Sequence, residues 1–248
     1  MRPTHEETIT QKTIGILGGM GPEATVDLFS KIVKGTRVRR DQDHLRILID
    51  NNPKIPDRTL AIEGKGPSPL PSLVESGKKL ERMGAHFLVI PCVTAHHFHG
   101  DLQKRLKIPV LHIVEETIRY VLLRFKGIHK IGLLATTGTL RTGLFQKALT
   151  ENPIELLIPS TQTQESKVME AIYGAKGVKA VGPSPYAIRL VRQAARELMK
   201  KGAEAILAGC TEIPLVIKDG DLPVPVVDPL WVLARAAVEK AGGRWKET

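Results

Sequence analysis

The feature that most limits how this chain can fold is an internal repeat. Ile14-Gly15-Ile16-Leu17 recurs as Ile131-Gly132-Leu133-Leu134, with Gly138 standing where Gly21 stood. Gly66-Pro67-Ser68-Pro69 recurs as Gly182-Pro183-Ser184-Pro185, and Ile108-Pro109-Val110 is echoed by Leu222-Pro223-Val224. Met83-Gly84-Ala85 and Lys201-Gly202-Ala203 precede two apolar runs, Phe87 to Ile90 and Ala205 to Ala208, which deliver Cys92 and Cys210. Matching positions are offset by 114 to 118 residues. The order of elements is kept, as expected of a tandem duplication.

Within each repeat, short apolar runs closed by glycine or polar turns read as buried parallel strands, and stretches with helical spacing follow them. The expected elements of the first half are a strand over Thr13 to Leu17 and a helix opened by Pro22 and continuing from Ala24 to Val33. A strand over Arg46 to Ile49 and a helix running through Leu73, Leu80 and Met83 come next. The strand ending in Cys92, a helix from Ala95 to Leu106 and a strand from Ile108 to Ile113 complete it. In the second half a helix is expected from Tyr186 to Lys200. The predicted fold is α/β: two similar parallel-sheet half-domains in a pseudo-twofold duplication, with the active site in the cleft between them. The half-domains are placed at 13–114, joined by a C-terminal helix over 229–245, and at 115–228. Ligands gather at the carboxyl ends of parallel strands, where Gly18 to Gly21, Asn52, Cys92, Thr136 and Cys210 lie.

No apolar run approaches the roughly 18 residues that span a bilayer, so a soluble protein without membrane contact is expected. Met1 to Thr8 carries no apolar signal core; a frayed tail before Thr13 and a cytoplasmic location follow as expectations. Two cysteines in 248 residues make no disulfide framework, and in a reducing compartment both are free thiols. A net charge of +10 and a pI near 9.7 raise the question of nucleic acid. The densest basic runs, Arg37-Val38-Arg39-Arg40 and Lys78-Lys79, sit in helix-like segments that also carry acids, and aromatic residues are only 4% of the chain. That pattern argues against nucleic acid and for small anions as partners.

A lone cysteine at a strand end is usually structural, but the same placement in both repeats favours joint use. Each cysteine precedes an expected helix start, where unpaired N–H groups favour thiolate. Gly18-Gly19-Met20-Gly21 does not fit the dinucleotide pattern G-x-G-x-x-G; it provides backbone that approaches a carboxylate closely at a helix N-terminus. Thr94, Thr136, Thr137 and Thr211 cap helices as readily as they touch a ligand. Cys92, His96, His97 and His99 have a metal-like spacing, but Cys210 has no matching histidines, and no metal is expected. Arg58 and Lys176 are ordinary solvated charges unless the ligand is a dicarboxylate, which an arginine fork would bind.

The chain resembles the aspartate/glutamate racemase family, the cofactor-independent amino-acid racemases, over Thr13 to about Leu233. The resemblance rests on Ile14 to Glu23, on Asn51-Asn52-Pro53 through Pro56-Asp57-Arg58-Thr59, on Pro91-Cys92-Val93-Thr94-Ala95-His96, and on Gly209-Cys210-Thr211-Glu212-Ile213-Pro214. It implies a two-domain protein, commonly a homodimer, needing no cofactor, with the two cysteines on opposite faces of a substrate Cα. It implies further that Met20, Arg58, Thr94, Thr211 and Glu212 line the substrate and that Lys176 joins Arg58 at the side-chain carboxylate. Gly21, Asn52, Val93 and Thr136 complete the expected binding set. Val93 stands where the family carries asparagine, which replaces a hydrogen-bonding side chain by an apolar one.

No pyridoxal signature is recognisable. Without an electron sink, removal of a Cα proton needs a positioned base and stabilisation of developing carboxylate charge. The expected reaction is interconversion of L- and D-aspartate or glutamate, with one cysteine as thiolate base and the other as thiol acid. The alternatives are a related cysteine-dependent isomerase or decarboxylase of a small carboxylic acid, and a non-catalytic binder of acidic metabolites.

Overall fold

The computed structural model describes residues 11–246. Strands β1 (Ile14–Gly18), β2 (Ile47–Asn51) and β3 (Phe87–Val89) form one parallel sheet in the order β2-β1-β3. Strands β4 (Lys130–Leu134), β5 (Glu155–Leu157), β6 (Ala205–Ala208) and β7 (Val226–Val227) form a second, in the order β5-β4-β6-β7. Every residue of β1 and β6 is buried, as in strands covered on both faces. The register pairs Ile14 with Ile47 on one side and Phe87 on the other, and Ile131 with Ala205 in the second sheet. In both sheets the chain starts in an inner strand, steps to one side, and then crosses to the other. This reversal opens a crevice at the carboxyl ends of β1 and β3 and of β4 and β6.

Ile14, Ile16, Phe87 and Val89 meet Ile131, Leu133, Phe145 and Leu207 in one core shared by the two sheets. The helix Pro229–Lys240 contributes Leu230, Leu233 and Ala237 to it and packs on the helices Pro22–Gly35 and Ile113–Arg124. The chain then returns to the first half: the Lys246 amide donates to the Gly35 carbonyl at 2.7 Å, and the Trp245 ring lies against Gly35. The outer faces are closed by the helix Leu70–Arg82, through Leu73 and Leu80, and by Pro185–Lys200. The latter forms where the sequence requires it. Ser184 caps the Ala187 amide, Pro185 opens the first turn, and Ala187, Leu190, Val191, Ala194 and Leu198 make one buried stripe.

Several elements differ from expectation. The stretch from Ile108 to Ile113 is no strand: Val110 makes a single parallel bridge to Leu88, and a helix begins at Ile113. Pro109 has no N–H to donate, and the His112 ring accepts the Glu115 amide at 3.4 Å, capping that helix. The helix expected from Ala95 to Leu106 is divided into a 3₁₀ turn, Thr94–Phe98, and a short helix, His99–Gln103. Neither cysteine lies within its strand; Cys92 is three residues past β3 and Cys210 two past β6. Of the tail expected before Thr13, residues 1–10 lie outside the described residues, while the Lys12 amide is tied to the Ala241 carbonyl at 3.0 Å. Among the described residues no helix is long and apolar enough to cross a membrane.

Candidate active site

The turn after β1 needs its glycines for steric reasons. Gly19 has φ +96°, and a Cβ there would run into the Asn52 backbone; its amide donates to the Thr25 hydroxyl at 2.9 Å. Asn52 supports this turn and is not among the residues lining the cavity: its amide donates to the Gly18 carbonyl, and its Oδ1 accepts the Lys54 amide at 3.0 Å. The repeated glycines Gly21 and Gly138 both face the opposite half. A Cβ on Gly21 would lie 3.6 Å from Glu212 Oε1 and 3.7 Å from Lys179 Nζ, and one on Gly138 would lie 2.6 Å from Thr59 Oγ1. Small residues at matching points let the two halves meet closely around a small cavity of ≈ 10 Å³.

The walls of that cavity come from both repeats. Met20, Arg58, Cys92, Val93 and Thr94 line it from the first, and Thr136, Cys210, Thr211 and Glu212 from the second. Both cysteines are free thiols, 5% and 6% exposed. The hydroxyls of Thr94, Thr136 and Thr139 form a cluster across the halves, with Thr94 at 3.1 Å from Thr136 and 2.8 Å from Thr139. Val93 is buried and belongs to the core shared by the two sheets.

Arg58 opens the helix Arg58–Ile62, whose first turn is capped by Asp57. Its guanidinium is buried and donates through Nη1 to the Ile55 and Pro56 carbonyls at 3.2 and 3.0 Å and through Nη2 to the Met20 carbonyl at 3.3 Å. Its Nε is buried with no partner. Burial opposes the charge, but Cys92, Asp57 and Tyr173 around it raise the Arg58 pKa on balance.

Two wall residues, Lys179 and Tyr173, were not anticipated. Lys176, expected here, is exposed and outside the cavity. The turn between them explains the exchange: Gly177 sits so close to the Glu170 and Ala171 carbonyls that a Cβ would lie 2.8 and 3.0 Å from them. The chain folds back there into the helix Val178–Val181, which turns Lys179 inward. The sequence signal was the Gly174 and Gly177 pair flanking Lys176. Lys179 Nζ pairs with Glu212 Oε1 at 2.5 Å and lies 5.6 Å from the Tyr173 ring centroid, while the Tyr173 hydroxyl donates to Asp57 Oδ2 at 3.1 Å.

Glu212 accepts the Cys210 thiol at 2.9 Å and the Thr211 hydroxyl at 3.2 Å on Oε2. Burial favours its neutral form, but Lys179 and these donors hold its pKa below the ordinary carboxylate value. Burial likewise penalises the Lys179 charge, and Glu212 and Cys210 outweigh it, so its pKa is raised. The expectation that a helix start lowers the Cys210 pKa is not met. Only a 3₁₀ turn, Ile213–Leu215, follows it, and burial together with the Glu212 charge pushes the thiol well up.

The histidines behind Cys92 are structural. His96 has Nδ1 2.9 Å from the Cys92 carbonyl and Nε2 3.3 Å from the Leu111 carbonyl, and packs against the His99 and His112 rings. Burial, then the neighbouring His112, lowers its pKa from 6.5 to about 3. The unfolded chain thus binds a proton that the folded chain refuses between those values. Stability contributed by neutral His96 is complete above pH 6.5 and is lost progressively as pH falls towards 3, by an amount on the order of 4 kcal/mol. Urea unfolding of the native chain and of His96→Asn from pH 7 to pH 4 is expected to show a flatter pH dependence in the variant; parallel curves would overturn the assignment.

Against this geometry, the sequence profile of the Asp/Glu/hydantoin racemase family matches residues 17–237. A broad specificity amino-acid racemase of Bacillus subtilis is 27% identical over 232 residues, 91% of this chain and 96% of the relative. The solved aspartate racemase of Picrophilus torridus is 30% identical, with a TM-score of 0.82 over 95% of this chain and 96% of that one. An aspartate racemase homologue from Pyrococcus horikoshii is 26% identical, with a TM-score of 0.70 over 93% of this chain and 99% of that one. The chain therefore belongs to the Asp/Glu/hydantoin racemase family and is an isomerase of the racemase class.

Proposed function

We propose that this amino-acid racemase interconverts the enantiomers of a small acidic amino acid, aspartate or glutamate, by two-base proton transfer between Cys92 and Cys210 without a cofactor. The observation that carries the reading is the pair of buried free thiols, delivered from matching points of the two repeats to one cavity. One sulfur, as thiolate, takes the Cα proton from one face, and the other, as thiol, delivers its proton to the opposite face. Two thiolates sharing one cavity would repel, so the scheme places one proton on the pair.

Acidic substrates are favoured by the cations at the wall. The buried Arg58 Nε is a donor without a partner, and Lys179 has donors beyond the one directed at Glu212. The N-terminus of the helix Pro22–Gly35, beside Met20, and the Thr94 hydroxyl are the groups assigned to carboxylate and enolate charge.

The test is a screen of the common amino acids in heavy water, read by NMR for deuterium at Cα. Exchange with inversion for aspartate or glutamate, and little for other side chains, is the expected result. Exchange confined to neutral or basic amino acids would overturn the substrate assignment, and saturable binding with no exchange would overturn catalysis.

A further inference from the structure

The two cysteines occupy matching positions in the repeat, yet their surroundings carry opposite charge. Cys92 lines the first-repeat wall of the cavity together with the buried Arg58 guanidinium. Cys210 instead has its sulfur 2.9 Å from a carboxylate oxygen of Glu212. Glu212 is 3% exposed and fully engaged: Oε2 receives the Cys210 thiol and the Thr211 hydroxyl, and Oε1 is locked by Lys179. A carboxylate so occupied is poorly placed to bind an acidic substrate, which it would repel.

We propose that Glu212 is a positioning residue for proton transfer, holding Cys210 as the proton-bearing thiol so that Cys92 is the base of the resting site. The inference rests on the two-cysteine reading above. The Glu212 charge beside the sulfur disfavours a second anion there, and the hydrogen bond orients the thiol proton. In the forward step the Cα–H electron pair remains on the substrate as its proton passes to Cys92. The Cys210 proton then forms the new C–H bond on the opposite face and leaves a thiolate at Cys210. That thiolate sits against Glu212, whose other oxygen is held by Lys179, and the resting state returns when Cys92 gives up the proton it took and Cys210 takes one in exchange through solvent. The burial and Glu212 charge that raise the Cys210 pKa agree with this assignment.

The two enantiomers have equal free energy in water, so kcat/KM must fall equally in both directions for any variant. Directional rates therefore do not test the idea, and the protonation of Cys210 does. In the Cys92→Ala background Cys210 is the only thiol, and its titration is read by ultraviolet thiolate absorbance and by the pH dependence of iodoacetamide alkylation. Glu212→Gln keeps the volume, removes the charge and frees Lys179; the Cys210 midpoint is expected to fall by about one pH unit or more, a tenfold or greater change in thiolate fraction. Glu212→Asp is expected to restore most of the shift, and Lys179→Met to move the midpoint upward. The midpoint, unlike the alkylation rate, is independent of reagent access. In the chain with both cysteines, Glu212→Gln is expected to lower kcat far more than it changes KM. A Cys210 midpoint unmoved in both Glu212→Gln and Lys179→Met would overturn the proposal. These titrations need no turnover, so they stand apart from the exchange screen that tests the racemase reading itself.

Discussion

Alanine at either Cys92 or Cys210 is expected to lower racemisation by about 10³-fold, within the range that general acid–base groups contribute. The effect is symmetrical because inversion uses both sulfurs in every turnover, one to take the proton and one to give it. Losing either stops both directions. What differs between the two variants is the residual chemistry. A chain that keeps only one thiol can return a proton solely to the face from which it came. Slow deuterium exchange with retention is therefore expected for one enantiomer in Cys92→Ala and for the other in Cys210→Ala. Chiral chromatography and NMR in heavy water read the two quantities separately. Full racemase turnover by either variant, shown by its unfolding curve to be folded, would sink the two-base scheme.

Arg58→Ala is expected to destabilise the chain by about 3–5 kcal/mol and to remove activity beyond what unfolding explains. The buried guanidinium holds three carbonyls from two segments, Met20 after β1 and Ile55 and Pro56 after β2. Truncation leaves those acceptors without their charged donor and releases the turn carrying Met20 from the loop that leads to Cys92's half of the cavity. Arg58→Lys keeps the charge without the planar fork and is expected to recover only part of the loss. Urea unfolding, with the midpoint and slope fitted together, measures the first effect. Activity at a temperature where the variant is fully folded measures the second. Wild-type stability in Arg58→Ala would show that the carbonyls find other donors.

The parts of this molecule legible in the sequence are those set by local pattern. The buried strands announce themselves as apolar runs such as Ile14 to Leu17 and Ile131 to Leu134, because a strand covered on both faces has no polar side to show. Helix Pro185–Lys200 follows from a cap, a proline and a stripe of apolar residues at helical spacing. Cys92 and Cys210 stand out because duplication places them at the same point twice. Where single residues decide, the reading is weaker: Pro109 and the His112 cap replace an expected strand with a bridge and a helix start, although both residues were in plain view.

Pattern does not extend to contacts between segments distant in the chain. Lys176 and Lys179 are both plausible cations by composition, and only the fold-back at Gly177 selects the second. The Cys210 thiol looks activated from its position before a turn, yet burial, and then the carboxylate two residues on that reaches its sulfur, reverse the expected shift. From the sequence alone come the α/β class, the duplication and the two sulfurs, because periodicity and repetition are properties of the chain itself. The inward lysine, the unequal surroundings of the two thiols and the cavity that joins them were decided by the tertiary structure. Electrostatics and burial depend on which groups are brought within a few ångströms, and no spacing along the chain specifies that.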